Sequence, residues 1–273
     1  MAWNDVEKAL IVSSGEEIET FSKIYGSSNE NLKKLFQCFS VNNKDVLTVL
    51  ASSDQFFHTV YHGARSVDTF DINPLTKYYY YLRRWLLLYN NEFYPSKRMF
   101  QTSSYLNNLL QKVKPEDKEE ENAYQFWKNY LKKASPKIHE NLYCLPLYNK
   151  NNLIFNQKEL KEKLVKIKPS FYHQDLFGEI TCPKKYDIVI TSNILEYGTN
   201  TMKLSKASKN LKLLLREGGK VIASHFVLSA ESNYFIREKN IFLPDFEFQE
   251  FVLKKNIFEE DFPLGYSYQK RHL

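Results

Sequence analysis

Short polar side chains follow the first strongly apolar run of the sequence. Val46 to Leu50 is an apolar, β-branched run that predicts a buried strand, and Ala51-Ser-Ser-Asp54 leads from it into an amphipathic stretch typical of a helix. Backbone N–H groups at such a helix start can approach a polar or anionic ligand. Because serine stands where glycine is usual, we expect a turn that needs no positive φ. Alternatively, Ser52 or Ser53 only caps the helix and Asp54 interacts with its dipole.

A carboxylate ends the next predicted strand. Ser66 to Asp71 is a short strand followed by Asn73-Pro74, and Asp71 lies nineteen positions after Ser52. In dinucleotide- and nucleoside-binding folds, an acid at about this distance accepts hydrogen bonds from two ribose hydroxyls. Asp71 could instead cap the helix that begins near Pro74. The loop and the acid together favour ligand binding.

A third strand, around Phe171-Tyr172, is followed by Asp175 and Leu176. Asp175 could accept a hydrogen bond from an adenine amino group, or it could cap a short helix. Both readings stay open.

The strand Tyr186 to Asn193 predicts a further contribution to the same site. Asn193 at its end would point into the cleft, beside the reactive part of a bound ligand. Glu196 and Tyr197 follow and could orient or deprotonate an acceptor, or they could be capping and core residues.

These strands alternate with helices, which predicts an α/β fold with a parallel sheet covered on both faces. The strand ends then meet at one edge, where ligands bind. We expect helices at Glu16 to Tyr25, Asn31 to Phe39 and Thr201 to Arg216, the last closed by Gly218-Gly219 before a strand from Lys220 to Val227. A terminal antiparallel pair is predicted from Phe246–Val252 and Gly265–Tyr268.

The predicted domains are an N-terminal helical segment, 1–40, and a Rossmann-like domain, 41–273. The domain carries a helical insertion at about 90–168, which is too long for a simple crossover.

The composition is that of a folded globular protein and gives no sign of a disordered or fibrous one. The 273 residues are 43% hydrophobic and carry a net charge of +6, from 38 basic and 32 acidic residues that are mixed along the chain. There is no clear nucleic-acid signal, and at most peripheral membrane contact is expected. Three separated cysteines and an N-terminus without an apolar run favour the cytoplasm. The oligomeric state is not predicted.

Histidines do not predict a metal site. His58 and His62 are four positions apart and could share a helix face, but the sequence offers no third ligand. His225 lies in a predicted strand and reads as a buried histidine rather than a base.

The loop, the acid at Asp71 and the stretch "LLREGGKVIASHF" resemble the class I S-adenosylmethionine-dependent methyltransferase fold over about residues 45–226, without the insertion. That resemblance implies a Rossmann-like, doubly wound, mostly parallel seven-stranded sheet with an antiparallel last strand. It also implies that the first loop holds the amino-acid end of the cofactor, that Asp71 holds the ribose and that Asp175 touches adenine.

Within that superfamily, "VLTVLASSDQFF", "VDTFDINPLTKYYYYLRR" and "YDIVITSNILEY" are most similar to the S-adenosylmethionine:diacylglycerol 3-amino-3-carboxypropyltransferases and their uncharacterised bacterial relatives. Asp71-Ile-Asn-Pro74 matches the Asp-x-Asn-Pro motif of that family, whereas Ser53 stands where the family often has glycine. The resemblance implies S-adenosylmethionine as cofactor and a small-molecule or lipid acceptor. The cofactor-binding residues it implies are Tyr25, Ala51, Ser52, Ser53, Asp54, Asp71, Ile72, Asn73, Asp175, Leu176 and Asn193, and the catalytic candidates are Asn193, Glu196 and Tyr197.

Three classes of function follow. The first is an S-adenosylmethionine-dependent transferase that moves a methyl or a 3-amino-3-carboxypropyl group, depending on which carbon of the sulfonium faces the nucleophile. The second is a non-catalytic member that binds a nucleoside or a protein partner. The third is an NAD-dependent oxidoreductase, which would require the G-x-G-x-x-G motif that this sequence lacks.

Overall fold

The computed structural model describes residues 24–28, 30–95, 103–133, 143–144, 152–154, 156–197, 201–224, 235–243 and 246–253, with 143–144 and the last two ranges described by their backbone alone. The strands are β1 (Ile24–Tyr25), β2 (Asp45–Val49), β3 (Ser66–Asp71), β4 (Tyr143–Cys144), β5 (Phe171–His173), β6 (Tyr186–Ser192), β7 (Leu215–Ser224), β8 (Phe235–Leu243) and β9 (Phe246–Leu253). The α-helices are α1 (Leu32–Cys38), α2 (Asp54–Tyr61), α3 (Leu75–Trp85), α4 (Ser103–Lys112), α5 (Lys118–Lys133), α6 (Gln157–Leu164) and α7 (Thr201–Leu214).

A seven-stranded sheet organises this part of the chain, in the spatial order β5-β3-β2-β6-β7-β9-β8. The five strands from β5 to β7 pair in parallel. The two pairs that involve β9 are antiparallel. The α/β, Rossmann-like architecture is therefore confirmed.

The predicted strand layout needs correction. Parallel pairing ends after five strands; β9, the last strand in sequence, is antiparallel to both of its neighbours, and β8 is attached to the sheet only through β9. Only two residues separate β8 from β9, a connection that suits an antiparallel hairpin, whereas parallel neighbours need a long crossover. The partner of β9 in that hairpin is Phe235–Leu243, while the predicted Gly265–Tyr268 lies outside the described residues.

Alternate side chains of the sheet enter two separate cores. On one face, Val46 and Ile190 join the large core built by helices α1 to α6. On the other, Leu47 and Val189 pack with α7 through Leu211. Burial on both faces explains why these strands read as continuous apolar runs.

The predicted insertion contributes α4, α5 and α6, which join the larger core rather than a separate one. The ring of Phe126 in α5 stacks on Tyr78 of α3 with centroids 4.3 Å apart. The indole N–H of Trp127 donates to the carbonyl of Tyr78 at 2.9 Å. The long aromatic helix α3 thus lies between the sheet and the inserted helices.

Two boundaries differ from the predictions. Ile24–Tyr25, predicted as the end of a helix, is the short strand β1, which pairs in parallel with β4, and the rest of Glu16 to Tyr25 lies outside the described residues. The helix predicted to end at Arg216 ends at Leu214, because the chain already pairs with Tyr186 at Leu215. Gly218 and Gly219 therefore lie within β7, at an irregularity in its pairing.

Candidate functional site

The sheet has its topological switch point between β2 and β6. From β2 the chain proceeds to β3 and β5 on one side, and then returns to β6 and β7 on the other. In open parallel sheets, ligands bind in the crevice outside the carboxyl ends of the strands that flank this point. Two segments lie there: residues 50–53 after β2 and residues 193–197 after β6.

The loop after β2 is built from left-handed residues that are not glycine. Ala51 has φ 40° and Ser53 has φ 69°, and at the end of β6 Ser192 has φ 53°. The expectation that this turn needs no positive φ is therefore wrong. Non-glycine residues in this conformation are strained and cluster at ligand-binding sites. Their position at the switch point marks this edge of the sheet as the candidate site.

Asp71 joins the end of β3 to the loop. Its Oδ2 accepts a hydrogen bond from the Ala51 N–H at 2.8 Å, and its Oδ1 accepts from the Asn73 N–H at 2.8 Å. The side chain of Asn73 in turn accepts from the Leu75 N–H at 2.9 Å, which organises the start of α3. Burial raises the pKa of Asp71 to about 6, although the backbone donors oppose the shift. A carboxylate with this pKa is ionised at pH 7.

An open pocket lies beside Asp71, between the ends of β3 and β5 and the first turn of α3. Its polar lining includes Asn73, Thr76, Lys77 and His173. His173 bonds the carbonyl of Ile72 through Nε2 at 2.8 Å, so Ile72 borders the same edge.

Asp54 lies at the centre of a buried ion pair. It is fully buried, and its Oδ1 accepts from Arg83 Nη1 of α3 at 2.6 Å. The same nitrogen donates to the carbonyl of Ser52 at 2.5 Å, and the Ser52 hydroxyl donates to Asp54 Oδ2 at 3.1 Å. The pair thus holds the loop in its strained conformation. A direct contact between Asp54 and a cofactor stays a prediction.

Glu30 is a residue of this edge that the sequence analysis did not find. It is 1% exposed and precedes α1. Its Oε1 accepts from the hydroxyls of Ser192 at 2.7 Å and of Ser224, and its Oε2 accepts from Gln55 Nε2 at 2.8 Å. The carboxylate therefore bridges the ends of β6 and β7 and the first turn of α2. No local signal identifies it, since the contacts to the two serines span 162 and 194 positions of sequence.

The remaining predicted residues lie around the same edge. Asp175 follows β5 and accepts from the Phe177 N–H at 2.9 Å, and the neighbouring Gln174 N–H donates to the Asp71 carbonyl at 3.1 Å. Leu176 is buried in the core under α7, where its carbonyl accepts from Asn210. Adenine contacts of Asp175 and Leu176 stay predictions.

The catalytic candidates follow β6. Asn193 is partly buried and directly follows the left-handed Ser192. Glu196 and Tyr197 belong to a 3-10 helix at Ile194–Tyr197, and Tyr197 is 55% exposed. The side chains of Glu196 and Tyr25 lie outside the described part of the structure. Catalysis by these residues stays a prediction.

His58 faces the interior of the larger core. Its Nε2 lies 2.9 Å from the Asn152 carbonyl, and its ring stacks with Phe36. Burial lowers the pKa of His58 to about 4, so it is neutral at pH 7. Among the described residues, no group of three or more His, Cys, Asp and Glu side chains could hold a metal ion. His225 lies outside them.

Within the described ranges, every helix is too short or too polar to cross a membrane.

No protein-family model matches the sequence, and no curated protein matches it significantly. Solved structures do. A TehB-like SAM-dependent methyltransferase from Corynebacterium glutamicum is 9% identical, with 92% of this chain and 96% of that chain covered and a TM-score of 0.42. A ribosomal protein L11 methylase from Lactobacillus delbrueckii subsp. bulgaricus is 13% identical, covering 82% and 77%, with a TM-score of 0.38.

A third match is the glycopeptide N-methyltransferase MtfA complexed with (S)-adenosyl-L-methionine, which is 9% identical over 85% of this chain and 67% of that chain, with a TM-score of 0.33. All three are methylases or methyltransferases. At such identities and scores, none of these likenesses shows what this chain binds or does. That question depends on the geometry of its own site.

Proposed function

We propose that this protein is an S-adenosylmethionine-dependent transferase that moves a 3-amino-3-carboxypropyl or methyl group to an unidentified small-molecule or lipid acceptor. One observation carries the proposal: the carboxylate of Asp71 bonds the Ala51 N–H at 2.8 Å, directly outside the switch point of the sheet. The acid and the loop, two parts of a nucleoside-binding site, thus form a single unit.

The chemistry of Asp71 fits a ribose. Each carboxylate oxygen has two lone pairs, and each accepts one backbone N–H here. Because the nearby Thr76 hydroxyl donates to the Asn73 carbonyl, acceptor capacity is left on both oxygens for two neighbouring hydroxyls. The pocket beside Asp71 gives those hydroxyls access to the carboxylate.

The transferred group depends on the pose of the sulfonium. Attack at the methyl carbon leaves S-adenosylhomocysteine, whereas attack at the amino-acid chain leaves 5′-methylthioadenosine. In-line geometry decides between them. Identification of the by-product formed from S-adenosylmethionine in the presence of extracted metabolites and lipids distinguishes the two reactions.

A non-catalytic nucleoside-binding role is the second candidate. Ser52, Ser53 and Asp54 are fully buried in this structure, and the Ser28 N–H donates to Asp54 from the segment that covers them. A loop closed in this way favours a protein that holds a nucleoside without turnover. In that case S-adenosylhomocysteine binds, but neither by-product forms.

Calorimetric titration with S-adenosylhomocysteine, with NAD as the control ligand, tests the proposal. We expect micromolar binding of S-adenosylhomocysteine alone. Asp71→Ala should weaken it by about 1–3 kcal/mol, since the ribose hydroxyls lose their acceptor. Because only the ionised carboxylate accepts both hydroxyls, wild-type affinity should also fall as the pH drops from 7 through 6 to 5, and the variant should lose this dependence.

Asp187→Ala is the matched control. Asp187 also accepts a backbone N–H at 2.8 Å, from Asp45, but at the opposite edge of the sheet. Its loss should leave the affinity unchanged. Absence of S-adenosylhomocysteine binding to the wild-type protein would refute the proposed function, and unchanged affinity of Asp71→Ala would remove Asp71 from the site.

A further inference from the structure

Two buried acceptor atoms next to the loop have no hydrogen-bond partner among the described residues. They are Oε1 of Gln55, whose side chain is in the first turn of α2, and Oγ of Ser53, which immediately precedes that helix. Gln55 is 2% exposed and Ser53 is fully buried. An amide oxygen can only accept, so burial without a donor is unfavourable and points to a ligand that supplies one.

A carboxylate lies next to the unpaired amide oxygen. Gln55 Nε2 donates to Glu30 Oε2 at 2.8 Å, so Oε1 of the same amide group is close to Glu30. The other oxygen of Glu30 accepts from the hydroxyls of Ser192 and Ser224 at the ends of β6 and β7. Hydroxyl groups rotate and can turn their protons away when a stronger donor arrives.

We propose that Glu30, Gln55 Oε1 and Ser53 Oγ bind the primary ammonium group at the amino-acid end of the ligand. An ammonium group has three N–H donors and no acceptor, which matches three acceptors of which one is a carboxylate. This assignment rests on the proposed function, and it deepens it by naming the part of the ligand that is recognised.

Glu30 follows a segment that lies over the loop: the Ser28 N–H donates to Asp54 Oδ2 at 2.6 Å, and Asn152 Nδ2 donates to the Ser28 carbonyl at 3.0 Å. These bonds hold the segment beside the loop, and they place the Glu30 carboxylate next to it.

Titration of two ligands against the Glu30→Gln variant tests the assignment. S-adenosylhomocysteine carries the ammonium group, whereas 5′-methylthioadenosine has the same nucleoside and lacks the amino-acid end. Glu30→Gln should weaken S-adenosylhomocysteine binding at least about tenfold, because a hydrogen bond to a charged group is lost, and should leave 5′-methylthioadenosine binding unchanged. Glu120→Gln is the control. The Glu120 carboxylate is also buried, but it accepts from Arg84 and Trp85, so its loss should change neither affinity.

A change in the ligand gives the same test without a variant. The wild-type protein should bind an analogue of S-adenosylhomocysteine with hydrogen in place of the α-ammonium group at least about tenfold more weakly. Three results would overturn the assignment. The wild-type protein could bind this analogue and S-adenosylhomocysteine equally well, or Glu30→Gln could bind S-adenosylhomocysteine as tightly as the wild-type protein does. Glu30→Gln could also lose affinity for S-adenosylhomocysteine and for 5′-methylthioadenosine to the same extent. Wild-type binding of 5′-methylthioadenosine in those cases would leave the proposed function standing, whereas binding of neither nucleoside would refute both.

Discussion

Ser53 combines two unfavourable features at the candidate site. Its φ of 69° is a left-handed conformation that non-glycine residues adopt at a cost of roughly 1–2 kcal/mol. Its buried hydroxyl has no hydrogen-bond partner among the described residues. A sequence under selection for stability alone would favour glycine here. The ammonium contact proposed above would account for the serine.

We predict that Ser53→Gly stabilises the free protein by about 1 kcal/mol, since relief of the left-handed strain and of the unpaired hydroxyl exceeds the added entropy of an unfolded glycine. Urea unfolding of the ligand-free protein measures the change. Ser52→Gly is the control and should destabilise, because the hydroxyl of Ser52 donates to Asp54. A loss of stability in Ser53→Gly would show that its hydroxyl is satisfied in the free protein.

At the scale of elements, α3 fixes the loop between β2 and α2 through a single side chain. Arg83 is fully buried and donates to the Ser52 carbonyl, to Asp54 and to the Phe93 carbonyl. Its guanidinium also lies 4.4 Å from the ring centroid of Tyr94. The loop geometry thus depends on a helix that starts more than twenty residues later.

Arg83→Met should destabilise the protein by about 3–5 kcal/mol, because it leaves the Asp54 carboxylate buried without its cation. The comparison is Arg65→Met, which removes an ion pair with Asp45 from a side chain that is 52% exposed and should change stability far less, because solvent screens an exposed pair. Chemical denaturation of both variants measures the two effects. Similar effects of the two substitutions would contradict the role given to the buried pair.

At the scale of the molecule, the inserted helices and the sheet share one core. Trp127 of α5 is fully buried in the same cluster as Val46 and Ile190 of the sheet. The opposite face of the sheet is covered mainly by α7. The insertion therefore supports α3, and through Arg83 it supports the loop.

Trp127→Ala should lower the free energy of unfolding of the whole protein by about 3–5 kcal/mol, since a large cavity forms in a continuous core. Leu213→Ala, at a side chain that is 62% exposed, should stay within about 0.5 kcal/mol. Circular dichroism, which follows all helices, and tryptophan fluorescence should report the same transition in the wild-type protein. A separate early transition of the inserted helices would contradict a shared core.

Several features were predictable from local sequence. Val46 to Leu50 and Tyr186 to Asn193 predicted strands because buried parallel strands are continuously apolar, and the structure has β2 and β6 there. The spacing of Asp71 and the loop indicated that they lie close together, because one strand–helix–strand unit separates neighbouring strand ends by about twenty residues. In the structure they are hydrogen-bonded. These properties depend on periodicity and chain length alone.

Tertiary structure alone decided the rest. Glu30 reaches Ser192 and Ser224 across most of the chain, and Arg83 reaches Asp54 across two helices. The left-handed conformations of Ala51 and Ser53 oppose their residue types and persist because these buried contacts over-determine the loop. Local propensity can indicate where a strand ends, but it does not indicate which distant side chain packs against that end. That contact is decided only when the strands pair into one sheet and helices pack on both of its faces.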